Sequence, residues 1–236
     1  MPRLIPVTSA RLGEHLPLLD LLTDDAPLSW VRGGDGLVGW GSYAKTAVSG
    51  ANRFADARKW WHQQLEKFAI SDSVHLSGTG PVLFASFSFD PDEESVLVIP
   101  KIVVGMRNGS SWITWIGDQP QPALQEEKEL LADAEFNWGD GSLSPAEWQL
   151  RVAKAIDEIE KTELEKVVLA RDLIVNSHRP IDVRKILRNL GSEYPSTWIF
   201  AVDGLVGATP ELLLRLSRGM VTSRVLAGTI SKTGDD

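Results

Sequence analysis

The stretch Glu165 to Val175, E-K-V-V-L-A-R-D-L-I-V, constrains this chain more than any other. It reads as one long strand, with a lysine at its start and an Arg-Asp pair interrupting an apolar run. Removing an ammonium or a carboxylate from water is costly unless the charge is paired. Side chains alternate along a strand. Lys166, Val168, Ala170, Asp172 and Ile174 share one face, and Val167, Leu169, Arg171, Leu173 and Val175 share the other. Neither face is cleanly polar. Either this is an ion-paired strand near a sheet edge, or its charges line a site.

The flanks of that strand carry strong local signals. Before it, Ser144 can cap a helix, Pro145 suits the first helical position, and Glu147 completes a capping box. Trp148, Val152, Ala155, Ile156 and Ile159 form the apolar stripe of this helix. After the strand, Asp182 caps a second helix with the stripe Val183, Ile186, Leu187 and Leu190, stopped by Gly191. Strands are then expected at Thr197 to Val202, Glu211 to Leu216 and Met220 to Leu226, joined by short turns at Asp203-Gly204 and 217–219. Short connections imply antiparallel neighbours.

The first part is read as β-rich. Leu28 to Arg32 and Leu37 to Trp40 flank the turn Gly33-Gly34-Asp35-Gly36. That turn lacks the Lys-Ser/Thr of a P-loop and the helix of a dinucleotide site, so it receives no phosphate role. Ala51 to Ile70 is helical by period, with the stripe Phe54, Trp61, Leu65 and Phe68 and with His62 as a surface residue. Val82 to Phe89, Ser95 to Val104 (broken at Pro100) and Ser111 to Gly117 continue as an antiparallel meander. Leu124 to Glu135 reads as an exposed acidic helix. With residues 136–143 it joins two parts of the chain, 1–142 and 143–236. The expected fold class is α+β, dominated by antiparallel sheet with helices packed outside.

Composition narrows the function. A net charge of -8 and a pI near 5.1 argue against a nucleic-acid surface. The chain has no Cys, which excludes disulfides, thiolate metal sites and a cysteine nucleophile. No apolar run reaches the length of a membrane span, and the N-terminus lacks a signal-peptide core. The expectation is a soluble cytoplasmic protein. The nine Trp are read as core fillers.

Candidate chemistry lies in the second part. In G-A-T-P-E-L-L-L, Glu211 follows Pro210 where a strand begins; a carboxylate at an apolar strand mouth can act as a general acid if burial raises its pKa. The competing reading is a strand-start Glu in water. In L-A-G-T at 226–229, Gly228 permits close backbone approach and Thr229 offers a hydroxyl and an N–H, although a Gly-Thr strand end is also an ordinary turn. Lys166 can serve as a base only after losing its proton, through desolvation or a cationic neighbour such as Arg171.

E-K-V-V-L-A-R at 165–171, G-A-T-P-E-L-L-L at 207–214 and L-A-G-T at 226–229 resemble, in this order, the chorismate-utilising enzymes, above all the isochorismate synthases. G-T-G-P-V-L-F-A-S-F-S-F-D at 78–90 and V-I-P-K at 98–101 resemble the N-terminal half of that family. The resemblance implies a Mg2+-dependent enzyme that converts chorismate to isochorismate, adding water at C2 and expelling the C4 hydroxyl. It assigns Lys166 as general base on the water and Glu211 as the acid for the leaving hydroxyl. Ala227, Gly228 and Thr229 become the backbone corner that helps bind substrate. The product would feed menaquinone or a catechol siderophore. The lysine disfavours the ammonia-using anthranilate synthases and a glutaminase partner; salicylate synthases keep it.

The family's core continues well past L-A-G-T, and its metal ligands are expected beyond Asp236. Nothing in this sequence matches their spacing. The chain is therefore expected to be the front part of a longer enzyme, with an uncovered sheet and poor stability by itself. The alternative from another class is a non-catalytic fragment or binding module of the same fold.

Overall fold

The computed structural model describes the chain except residues 1–2, 14–15, 25, 125–129, 132–134, 218 and 227–236. In chain order the elements are β1 (Ile5–Arg11), a 3-10 turn (Leu18–Leu21), β2 (Leu28–Arg32), β3 (Asp35–Val48), α1 (Arg53–Leu65), β4 (Phe68–Asp72), β5 (Phe84–Ser86), β6 (Ser95–Arg107) and β7 (Ser110–Ile116). They continue as β8 (Phe136–Asp140), α2 (Pro145–Lys161), β9 (Leu173–Ser177), α3 (Val183–Glu193), β10 (Trp198–Val202), β11 (Leu205–Thr209), β12 (Leu212–Ser217) and β13 (Met220–Arg224). The architecture is α+β and mostly antiparallel, as expected. No helix among the described residues is long and apolar enough to cross a membrane.

Among the described residues, those in 1–130 and 182–236 form one compact unit and those in 131–181 form a second. This division differs from the expected parts 1–142 and 143–236, because β10 pairs with β2 and carries β11 into the sheet of the first unit. That sheet runs β11-β10-β2-β3-β6-β7-β1-β4, with β5 also on β6. The hairpin of β2 and β3 closes over Gly33 and Gly34 at φ values of 57° and 84°. Positive φ at both turn positions matches the strand twist, so the glycines are there for the turn.

Several strand and helix boundaries differ from the sequence reading. The helix expected over 51–70 ends at Leu65, and Phe68–Asp72 is β4, parallel to β1 with Ile5 opposite Phe68. The docking of Phe68 beside Val7, Ile99 and Ile116 outweighs the helical period there. Phe54, assigned to the buried stripe of α1, is 57% exposed and packs on Phe87. β6 is not broken at Pro100. One edge of β6 pairs with β5 at Val96–Val98 and with β7 from Ile102 onward, and the other meets a register shift in β3 between Ser42 and Ala44. Pro100 falls in the gap between β5 and β7 on one edge, where its missing N–H is not needed, and pairs with Ser42 beside the register shift on the other. β5 is shorter than the run expected over 82–89, and β11 is a strand that the sequence reading missed.

Two faces of the main sheet are packed. On one, α3 presses Leu187 against Val31, Val38, Val104 and Ile199, with Leu18 and Leu22 from the segment after β1. On the other lie Leu28, Phe84, Val98 and Val202. Gly191 does not stop α3; the helix runs to Glu193, and a Cβ on Gly191 would come within 2.7 Å of Leu19 Cδ1. Its smallness allows the helix to approach. Trp40, Trp112 and Trp115 are core residues as expected, whereas Trp30 and Trp138 are exposed.

The second unit contains α2 and the two-stranded sheet β8–β9, with Phe136 opposite Ser177 and Asp140 opposite Leu173. The capping box of α2 is formed: Glu147 N–H donates to Ser144 Oγ, and Ser144 N–H donates back to Glu147 Oε2. Trp148, Val152, Ala155 and Ile159 are half-buried, while Ile156 is exposed.

Candidate active site

The strand expected over 165–175 is present only as Leu173–Ser177. Upstream of Leu173 the ladder with β8 has run out, because Asp140 is the last residue of that partner. Asp172 then turns its carboxylate back on the loop after β8. It accepts from Ser142 N–H (2.9 Å to Oδ1) and from Ser142 Oγ–H (2.6 Å). A Cβ on Gly141 would overlap Asp172, so only glycine fits beneath this clasp. The hydrogen bonds from Ser142 hold the Asp172 carboxyl below the ordinary carboxylate range.

Lys166 therefore stands in the exposed, non-strand segment between α2 and β9 rather than on a buried strand. Arg171, considered as its cationic neighbour, is ion-paired with Asp140 at 3.2 Å. The paired charges of the motif thus have separate local tasks: Arg171 and Asp172 both fasten the motif to the end of β8. Ser142 was missed by the sequence reading. It lies in a loop taken only as a join, and nothing in the local pattern marks it as the partner of a residue thirty positions away.

Glu211 belongs to the first unit. β11 pairs with β10 as far as Thr209, opposite Trp198. Pro210 has no N–H to continue a ladder, and the chain breaks there before β12. Glu211 N–H donates to Thr209 Oγ1 at 3.2 Å, fixing the backbone across the break. The Glu211 side chain is exposed, so the described residues do not make the apolar strand mouth that the sequence suggested. Gly207 in the same motif has a packing reason: a Cβ there would lie 2.8 Å from Phe200 Cζ. Ala227, Gly228 and Thr229 lie outside the described residues. Lys166 and Glu211 are carried by different compact units.

The earlier motif G-T-G-P is a structural clamp. Asp72 Oδ2 accepts from Thr79 Oγ1, Oδ1 accepts from the Val74 and His75 N–H groups, and Gly80 N–H donates to buried Ser9 Oγ. Trp112 Nε1 donates to Gly78 O at 3.3 Å. Partial burial pushes the Asp72 carboxyl up, but these hydrogen bonds outweigh it and leave it below its ordinary value.

Among the described residues, no group of three or more His, Asp or Glu side chains comes together as a cation site.

The family model for chorismate binding enzymes matches residues 31–236. Isochorismate synthase MenF of Bacillus subtilis (strain 168) is 27% identical over 231 residues, covering 83% of this chain and 49% of its own. The 2-amino-4-deoxychorismate synthase of Streptomyces globisporus is 29% identical over 184 residues, covering 71% of this chain and 36% of its own. Among solved structures, MenF, the menaquinone-specific isochorismate synthase from Escherichia coli, aligns with a TM-score of 0.59 at 16% identity, covering 89% of this chain and 51% of that one. At that identity the likeness is one of fold. The chain spans about half the length of the B. subtilis relative. Since the matched stretch takes in the sheet core and both the Lys166 and Glu211 motifs, the chain belongs to the chorismate binding enzyme family.

Proposed function

We propose that the protein is an isochorismate synthase. The observation that carries this reading is the family match across 31–236, with a lysine at position 166 and a glutamate at 211. Lys166 takes a proton from the water that adds to C2 of chorismate. Glu211 gives a proton to the C4 hydroxyl, which departs as water while the ring double bond shifts. One water is consumed and one released, so the reaction is an isomerisation. A base and an acid on separate segments suit this chemistry, because the two proton transfers occur at different ring carbons. Mg2+ is the proposed cofactor, to offset the substrate's two carboxylates in a chain of net charge -8.

The test is chorismate turnover with Mg2+ by the protein expressed from its natural gene, beside Lys166→Ala and Glu211→Gln. Isochorismate formation that both substitutions abolish, with folding intact, is the expected result. Unchanged turnover in both variants overturns the assigned roles. Salicylate and pyruvate as products would identify a salicylate synthase instead.

A second reading follows from the Streptomyces relative, whose name is that of an amino-transferring enzyme. Ammonia-dependent formation of an aminated product would establish it. The proposed role extends to menaquinone synthesis, the specificity named for the E. coli structure. A deletion strain that keeps its menaquinone but loses a catechol siderophore would move the protein to the other pathway.

A further inference from the structure

The first unit contains a cleft of about 530 Å3 on the sheet face opposite α3, between β2, β3, β10 and β12. Trp30 and Trp198 stack with ring centroids 5.1 Å apart and planes 19° apart, and Trp30 is 39% exposed. Arg32, Arg107 and Arg215 line the same cleft, with Asp35 as the single lining carboxylate. Arg32 is already engaged: its guanidinium lies 5.6 Å from the Trp198 ring centroid, and its Nε donates to Ser196 O. Asp35 accepts from Asn108 N–H. Arg107 Nε and Trp198 Nε1 are buried donors that meet no acceptor among the described residues.

Buried donors without acceptors are costly, and natural folds retain few of them. A concentration of guanidinium groups in a chain of net charge -8 calls for an anion. An accessible indole offers a stacking surface for a flat ring. We propose that this cleft binds a small aromatic carboxylate. The ring lies on Trp30 among the apolar wall residues Leu37, Leu212 and Leu214, and the carboxylate is held by Arg107 and Arg215. Guanidinium forks match a carboxylate in a planar, bidentate manner. A nucleotide suits the cleft less well: its sugar hydroxyls and base edge need several polar partners, and the wall beside the indoles is leucine. The proposal uses the first unit only and does not depend on Lys166, Glu211 or chorismate turnover.

Benzoate is the probe, titrated into the 15N-labelled full chain while the indole and guanidinium N–H resonances are followed. The Trp198 Nε1–H and Arg107 Nε–H signals should shift saturably. Benzamide, the same ring without charge, should bind at least about tenfold more weakly, as should benzoate with the Arg215→Gln variant. Arg215 is exposed, so that substitution leaves folding intact. Arg107→Lys keeps the charge but loses the fork, and should also weaken binding. Absence of a saturable shift at about 10 mM benzoate, a range in which even millimolar sites fill, overturns the proposal. Equal binding of benzamide, or unchanged affinity in Arg215→Gln, does so as well. Adenosine monophosphate binding more tightly than benzoate would make this a phosphate-ligand site and overturn the carboxylate assignment.

Discussion

Asp172 closes on Ser142 through both the hydroxyl and the backbone N–H, at 2.6 and 2.9 Å, and this clasp ends the β8–β9 ladder beside the K-V-V-L-A-R motif. Both partners are at the surface, so its consequence is best read by titration. The folded-state pKa of Asp172 is depressed, chiefly by the Ser142 hydroxyl. A depressed carboxyl contributes stability that is fully present above its unfolded value, about 3.9, and lost as pH falls through the folded value. Ser142→Ala should raise the Asp172 midpoint toward the ordinary value, read from its side-chain carboxyl 13C shift. An unmoved midpoint would show that the Ser142 hydroxyl does not hold the carboxylate.

Much of this architecture is legible from local rules. The Gly33-Gly34 hairpin, the Ser144–Glu147 capping box and the Asp182 cap follow from chemistry that spans four residues or fewer, and all are present. What local rules miss is pairing between distant segments. β4 looks helical because nothing near Phe68 announces β1 as its parallel partner. The charged motif at 165–172 looks like strand because its apolar residues suit one, yet β8 offers pairing only as far as Leu173. The candidate residues Lys166 and Glu211 were found through ordered motifs, since exposure alone would not distinguish them from other surface charges.

Gly207 tests how much of G-A-T-P-E is packing. Its missing Cβ leaves room for Phe200 directly across the β10–β11 pair. Gly207→Val should destabilise by about 1–3 kcal/mol, the usual cost of overfilling a packed site. Adding Phe200→Ala should make the pair less destabilising than the sum of the single changes, because the clash is then gone. Urea unfolding of the four proteins gives the coupling. Strict additivity would mean that the glycine has some other reason.

Gly105 makes a harder demand. It sits opposite Trp112 on β7, and a Cβ there would run into the indole, which is completely buried. Trp112 cannot swing away cheaply, since Nε1–H is bonded to Gly78 O in the loop clamped by Asp72. Gly105→Ala should therefore cost about 1–3 kcal/mol or more by overpacking and should loosen the 73–80 loop with it. Faster proteolysis within 73–80, measured beside the urea midpoint, checks both. A loss of stability with unchanged loop cleavage would separate the indole from the loop.

In the first unit Asp182 and Arg184 form a buried ion pair. The Asp182 carboxylate accepts from Arg184 N–H at the start of α3 and from its guanidinium at 2.9 and 2.6 Å, with side-chain exposures of 5% and 3%. The bond to Asp182 raises the Arg184 pKa, against the opposing effect of burial, with Asp182 and Asp24 adding attraction for the charged form. Deleting Asp182 removes the two short bonds to the guanidinium and leaves Asp24 as its acidic neighbour, so the loss should fall below the roughly 3–5 kcal/mol typical of a fully unpaired buried charge. Asp182→Ala should lower the melting temperature accordingly, with about 1 kcal/mol of the loss arising from the helix cap. If the weakened pairing of the buried charge is the main cause, Asp182→Ala with Arg184→Met should melt above Asp182→Ala alone, because no guanidinium then needs the carboxylate. A double variant no more stable than the single one would place the loss in the cap and the packing of α3 instead.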